Sequence, residues 1–96
     1  MTQLTPIHPG EVLKHDFMEP YGLSSNALAR TLNITPARIN DIVRGQRGIT
    51  ADTALRLAQY FNTDAQSWMN LQSNYELEVA EQSFAGRDIQ PLVSTA

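Results

Sequence analysis

The chain contains no cysteine among its 96 residues, which excludes disulfide bridges and zinc sites built on thiolates. It also has no apolar run long enough to cross a bilayer. Its N-terminal residues lack the apolar stretch of a secretory signal peptide. We therefore expect a cytoplasmic protein with no membrane partner.

A positive net charge is also missing, since the formal net charge is −3. The charges are unevenly distributed along the chain, however. Residues 24–56 hold five arginines against two aspartates, a local charge of +3. Residues 1–23 hold one lysine against three acidic residues (−2), and residues 57–96 hold one arginine against five (−4). A basic centre between acidic ends indicates two partners of different charge.

No group of residues has the spacing of a catalytic or metal site. His8 and His15 stand seven residues apart, with neither a cysteine nor an HExxH pattern beside them. Ser24, Ser25 and Thr35 have no paired base and are interpreted as helix caps. The five glycines form no phosphate-binding loop. We expect no enzymatic activity, no cofactor and no metal.

Residues 25–44, SNALARTLNITPARINDIVR, predict two short helices joined by a tight turn, which is a helix-turn-helix. Ser24 and Thr35 are the predicted N-caps, Pro36 suits the first position of the second helix, and Asn33 tolerates a left-handed turn. The predicted buried positions recur at helical spacing: Leu28, Ala29, Leu32, Ile39, Ile42 and Val43. The second helix carries two arginines and an asparagine on its other faces, which favours DNA binding over a hairpin that only packs.

Three further helices are predicted, so the fold class is all-α, with five helices. The first begins near Glu11 and ends by about Glu19. The fourth is capped by Thr50, and the fifth is capped by Asp64 and spans residues 65–83. The predicted core residues of the fourth helix are Ala54, Leu55, Leu57, Ala58 and Phe61.

The fifth helix carries two apolar stripes on nearly opposite sides. The first stripe, expected to pack on the other helices, consists of Trp68, Leu71, Tyr75 and Val79. The second stripe, a candidate dimer interface, consists of Met69, Leu77, Ala80 and Phe84. An alternative is that residues 85–96 fold back and cover the second stripe. We divide the chain into a helix-turn-helix domain, residues 1–84, and a C-terminal tail, residues 85–96.

Four segments resemble the HigA family of antitoxins, which belongs to the lambda-repressor-like (XRE) helix-turn-helix group. They are HPGEVL (8–13), LARTLNI (28–34), RINDIVRGQRGITADTALRLAQYF (38–61) and WMNLQSNYEL (68–77). The resemblance implies a five-helix domain that binds double-stranded operator DNA as a homodimer and represses its own operon on the bacterial nucleoid. It also implies a partner, a HigB-type toxin that is a ribosome-dependent mRNA endonuclease.

The resemblance further implies which residues contact DNA. Phosphate contacts would come from Ser25, Asn26, Gln46 and Arg47. Groove contacts would come from Thr35, Ala37, Arg38, Asn40, Asp41 and Arg44. Phage repressors of this group often carry long amides where this chain has Pro36 and Ala37. Base recognition is therefore expected from the later groove residues, with only a methyl contact from Ala37, and the operator sequence stays open.

Two other functions are compatible with the sequence. One is a stand-alone repressor with no toxin, whose second stripe serves only the dimer. The other is a protein-interaction module whose arginines only keep one of its surfaces solvated. For a toxin partner, the expected contact is the acidic first helix, with Glu11, Asp16 and Glu19, because an RNA-binding toxin needs a cationic surface. The alternative that these carboxylates only keep the protein soluble is left open.

Overall fold

The computed structural model describes residues 5–86 and 88–93. The helices begin with α1, Pro9–Val12, which continues into a π-helical segment, Leu13–Met18, and a 3-10 turn, Glu19–Tyr21. The remaining helices are α2 (Ser25–Leu32), α3 (Pro36–Val43), α4 (Ala51–Phe61) and α5 (Ala65–Gln82). No strand occurs in the described ranges. The predicted all-α fold with a helix-turn-helix is confirmed.

The predicted caps determine where the helices begin. Ser24, Thr35, Thr50 and Asp64 each accept a hydrogen bond from the backbone N–H three residues later, which satisfies one of the free donors of the first turn. His8 also caps its helix, α1, but its Nδ1 accepts from the N–H two residues later, that of Gly10, at 2.8 Å. The first helix therefore begins at Pro9, two residues earlier than predicted.

The core collects apolar side chains from the π-helical segment, from α2, α3, α4 and α5, and from the connection before α4. Its buried members are Leu13, Met18, Leu28, Ala29, Leu32, Ile39, Ile42, Ile49, Ala54, Leu57 and Trp68. Ala29 is 1% exposed, in agreement with a close crossing of α2 and α3. A Cβ at Gly10 would overlap the Ile42 carbonyl oxygen, so the glycine allows α1 to lie directly against the end of α3.

One predicted core residue of α4 is wrong. Leu55 is 62% exposed, because it lies about 200° around the helix from both Thr53 and Leu57, which are buried. The Thr53 hydroxyl can occupy the interior because it accepts a hydrogen bond from the Thr50 hydroxyl at 3.3 Å.

A buried glutamine joins α5 to the connection before α4. Gln72 is only 7% exposed, and its Oε1 accepts from the Ile49 N–H at 2.7 Å while its Nε2 donates to Glu76 at 2.6 Å. Ile49 is buried beside it. Neither residue was among the predicted core positions. A glutamine on a helix ordinarily faces solvent, and Ile49 lies outside the predicted helices.

In both stripes of α5, the residues near the start of the helix are more buried than those near its end. In the first stripe, Trp68 is buried and Leu71 and Tyr75 are half-buried, but Val79 is exposed because α5 extends past the core. In the second stripe, Met69 is half-buried and packs against the core, whereas Leu77, Ala80 and Phe84 are exposed. This part of the second stripe remains available to a partner.

The predicted tail does not cover the second stripe where the structure describes it. Ile89, Leu92 and Val93 are 72%, 101% and 70% exposed, and Leu77 and Phe84 are 62% and 71% exposed. The fold-back alternative is therefore wrong for residues 88–93, while Arg87 and residues 94–96 lie outside the described ranges. Among the described helices, none combines the length and apolarity that crossing a bilayer requires.

Candidate nucleic-acid interface

The turn between α2 and α3 is fixed by backbone geometry that the sequence predicts. Asn33 adopts the left-handed conformation, with φ 59°. Its N–H donates to the Arg30 carbonyl at 3.2 Å, and the Ile34 N–H donates to the Ala29 carbonyl at 3.0 Å. These bonds close the end of α2. The chain then enters α3 at Pro36, so the first turn of α3 has a fixed start.

The predicted groove residues lie in α3 and at its two ends. Thr35 is the N-cap, Ala37 is exposed in the first turn, and Arg44 is exposed at the C-cap. Arg38, Asn40 and Asp41 are half-buried. Among the described residues, Arg44 takes part in no ion pair and no side-chain hydrogen bond, so its guanidinium donors are available to a ligand.

The loop after α3 is held against that helix. The Gln46 N–H donates to the Asp41 carbonyl at 2.8 Å, and the Arg47 guanidinium lies 3.8 Å from the Asp41 carboxylate. Gly45 adopts a φ of 76°, which reverses the chain at this point. The structure thus brings Gln46 and Arg47, two of the predicted phosphate contacts, next to Asp41, one of the predicted groove contacts.

The other predicted phosphate contacts are at the start of α2. Ser25 is half-buried and Asn26 is exposed in the first turn, directly after the Ser24 cap. The N–H groups of a first helical turn carry a partial positive charge. Such a helix start is suited to a DNA phosphate.

A carboxylate links three elements of this region. Asp52, in the first turn of α4, accepts through Oδ2 from Arg56 Nε at 2.9 Å and from Arg38 Nη1 at 3.3 Å. Arg56 Nη1 in turn donates to the Leu32 carbonyl at 2.7 Å. The hydrogen bond from Arg56, with a further contribution from Arg38, lowers the pKa of Asp52. We call the three side chains Arg38, Asp52 and Arg56 the polar clamp.

Sequence reasoning identified only part of the polar clamp. Asp41 and Asp52 each have an arginine partner, Arg47 and Arg56 respectively. The i, i+4 spacing of Asp52 and Arg56 is a signal for their pair. The contact of Arg56 with the end of α2 spans 24 residues, and no local pattern encodes it.

The described part of the chain holds no group of three or more His, Cys, Asp or Glu side chains that could bind a metal. His8 instead serves as the α1 cap, and its ring packs edge-on against Tyr75 with centroids 4.8 Å apart.

Comparisons with known proteins agree with this geometry. Residues 15–68 match a family model described as helix-turn-helix. Virulence-associated protein I of Dichelobacter nodosus is 59% identical over 80 residues, which cover 83% of this chain and 74% of that protein.

Two solved structures are similar to the whole described fold. One is a Pseudomonas aeruginosa protein in complex with its 18-base-pair operator DNA; it is 48% identical with a TM-score of 0.87, and the match covers 94% of this chain and 100% of that one. The other is the Pseudomonas aeruginosa antitoxin HigA with the higBA promoter; it is 48% identical with a TM-score of 0.82, and the match covers 92% and 99%.

Proposed function

The chain belongs to the helix-turn-helix family and, within it, to the HigA type of DNA-binding antitoxin, and from this premise we propose its partners and contacts. It binds double-stranded operator DNA as a homodimer, represses its own operon and neutralises a HigB-type toxin. Such a protein acts on the bacterial nucleoid. The observation that carries the proposal is the outward side of α3, which presents arginine and asparagine side chains within a segment of charge +3.

DNA recognition follows from the chemistry of these side chains. Arginine can donate two hydrogen bonds to a guanine, and asparagine can pair with an adenine, in the major groove. Arg38, Asn40 and Arg44 are the proposed base contacts. Asp41 and Thr35 complete the groove surface, and Ala37 offers a methyl contact to thymine. Ser25, Asn26, Gln46 and Arg47 hold the phosphates on either side.

The dimer is supported by the exposed apolar residues of α5. One recognition helix makes few base contacts, and repressors of this kind place two of them about 34–36 Å apart on a palindrome. Leu77, Ala80 and Phe84 are exposed, and burial against a second copy would remove their apolar surface from water. The half-buried Met69 would contribute at the edge of that interface.

The toxin surface is proposed on the first helical segment. Glu11, Asp16 and Glu19 are exposed there. Ile7, 61% exposed, and Val12 line a groove of about 330 Å³ together with Glu11, His15 and Asp16. An apolar floor with an acidic rim suits the cationic surface of an RNA-binding toxin. This placement also leaves α3 free, so the antitoxin can bind toxin and operator together.

Selection of duplexes from a random pool tests the proposal. Repeated binding and amplification should enrich a palindromic site, and that site should match the promoter region of the chain's own operon. The enriched duplex should bind at least about a thousandfold more tightly than a scrambled duplex at physiological salt. Failure to enrich any sequence would contradict operator binding.

Co-expression with the product of the adjacent reading frame tests the toxin. A small basic protein should co-purify with the chain and lose its toxicity. If no neighbouring product binds, the chain is a stand-alone repressor.

A further inference from the structure

Asp52 occupies an unexpected place for an acidic side chain in a DNA-binding surface. It projects from the first turn of α4 and shares Oδ2 between Arg38, in the first turn of α3, and Arg56. Its side chain is 58% exposed, so it is not needed to fill the core. A carboxylate beside DNA repels phosphates, which weakens binding to every sequence alike.

The contacts of the polar clamp offset this loss of DNA affinity. Arg56 is anchored on the Leu32 carbonyl at 2.7 Å, at the end of α2, and holds Asp52 at 2.9 Å. Asp52 in turn holds one amino group of Arg38 at 3.3 Å. The position of the Arg38 guanidinium is thereby tied to the backbone of the helix-turn-helix, not only to its own flexible side chain.

We propose that Asp52 is a specificity-determining residue, which orients Arg38 for base recognition through the contact of its carboxylate with the Arg38 guanidinium. Arg38 has five N–H donors, of which the clamp uses one. The remaining donors face a base pair from a fixed position, so less rotamer freedom is lost when they bind. The charge of Asp52 at the same time lowers affinity for unrelated DNA. This inference rests on the proposed operator binding and names a residue outside the predicted contacts.

Asp52→Asn tests the inference, because asparagine has nearly the same shape but no charge. The measured quantity is the specificity ratio, the Kd for a scrambled duplex divided by the Kd for the enriched duplex. We expect the ratio to fall roughly three- to thirtyfold, which lies within the range of couplings between neighbouring polar groups. Affinity for the scrambled duplex should rise or stay constant, because a negative charge is lost.

Arg38 supplies the matched control. In an Arg38→Ala background, Asp52→Asn removes the same charge at the same place, but there is no guanidinium left to orient. The ratio should then change by less than about twofold. Arg38→Lys keeps the positive charge without the planar fork. We expect Arg38→Lys alone to lower the specificity ratio. Adding Asp52→Asn to Arg38→Lys should not lower the ratio further. This pair of variants provides a second test if one of the other variants folds poorly.

Each other role of Asp52 predicts a different result. A purely structural role would weaken binding to both duplexes equally and lower the melting temperature, and a purely electrostatic role would strengthen both equally. In either case the ratio stays constant, which would overturn the inference while leaving operator binding intact. If the wild-type chain selects no duplex at all, the proposed function fails and the inference fails with it.

Discussion

His8 is a buried polar residue whose protonation state matters for the fold. Its Nδ1 accepts the Gly10 N–H, and only the neutral ring can accept at that atom. Burial lowers the pKa of His8 below its ordinary value of 6.5, with a smaller opposing effect from Glu11. The unfolded chain therefore binds a proton more readily than the folded chain. The contribution of His8 to stability is therefore present above its unfolded pKa of about 6.5 and is lost as the pH falls below that value through the lower folded pKa.

His8→Asn isolates this effect, because asparagine is a good N-cap that does not titrate. We expect the urea midpoint of the wild-type chain to fall more between pH 7.5 and pH 5.5 than the midpoint of His8→Asn. Equal falls in both proteins would show that other groups cause the pH dependence.

Arg47 is proposed to contact phosphate and not a base. Its guanidinium is half-exposed on the loop after α3, 3.8 Å from Asp41. Arg47→Ala should weaken binding to enriched and scrambled duplexes by the same factor. It should also make the slope of log K against log salt shallower by about one, as expected for one lost phosphate contact. A change in the specificity ratio would instead assign base recognition to Arg47.

At the scale of the elements, local chemistry predicts more than packing does. The caps Ser24, Thr35, Thr50 and Asp64 each bind a backbone N–H only three residues away. The local sequence is therefore sufficient to predict where these four helices begin. The left-handed turn at Asn33 is encoded in the same local way.

Tertiary contacts account for what the sequence did not predict. Leu55 was misplaced because the side of α4 that faces the core depends on the position of α2 and α5. Gln72 and Ile49 are buried through a contact 23 residues apart. The π-helical segment Leu13–Met18 also has no counterpart in a pattern of 3.6-residue period. In the candidate interface, the sequence predicted α3 and its N-cap Thr35, but the contacts of Asp52 with Arg38 and Arg56 could be only partly predicted.

The distal half of α5 is expected to hold the dimer together. Leu77 is 62% exposed, and Leu77→Glu would place a charge within the proposed apolar interface, which is unfavourable. The variant should sediment as a monomer and bind the enriched duplex at least about tenfold more weakly, since a second recognition helix is lost. Asn74→Glu adds the same charge at an exposed position of α5 outside both stripes and serves as the control. Sedimentation of Leu77→Glu as an intact dimer would exclude this interface.

The charge distribution of the whole molecule separates two surfaces. The segment of residues 24–56 has a charge of +3, and the first 23 residues have a charge of −2. We expect DNA and toxin to be attracted to different parts of the chain for this reason. The acidic residues of α5, Glu76, Glu78 and Glu81, form a second negative region, but the dimer is proposed to occupy that helix.

Reversal of Glu11, Asp16 and Glu19 to lysine tests the toxin surface. All three are exposed, so the fold should persist. The association rate with the toxin should fall at least about tenfold at low salt and less at high salt, because electrostatic steering is screened. Binding to the enriched duplex should be retained. A toxin association rate that is unchanged at both ionic strengths would place the toxin elsewhere.

The central claim is that α3 recognises the operator through Arg38 and Arg44, and the specificity ratio of two variants tests it most directly. Arg38→Ala and Arg44→Ala should each lower the ratio about five- to 150-fold, a loss of about 1–3 kcal/mol of discrimination, and relax the preference at one base pair of each half-site. The titrations use the enriched and scrambled duplexes at one salt concentration. If both variants keep the wild-type ratio, α3 does not recognise the bases through these arginines.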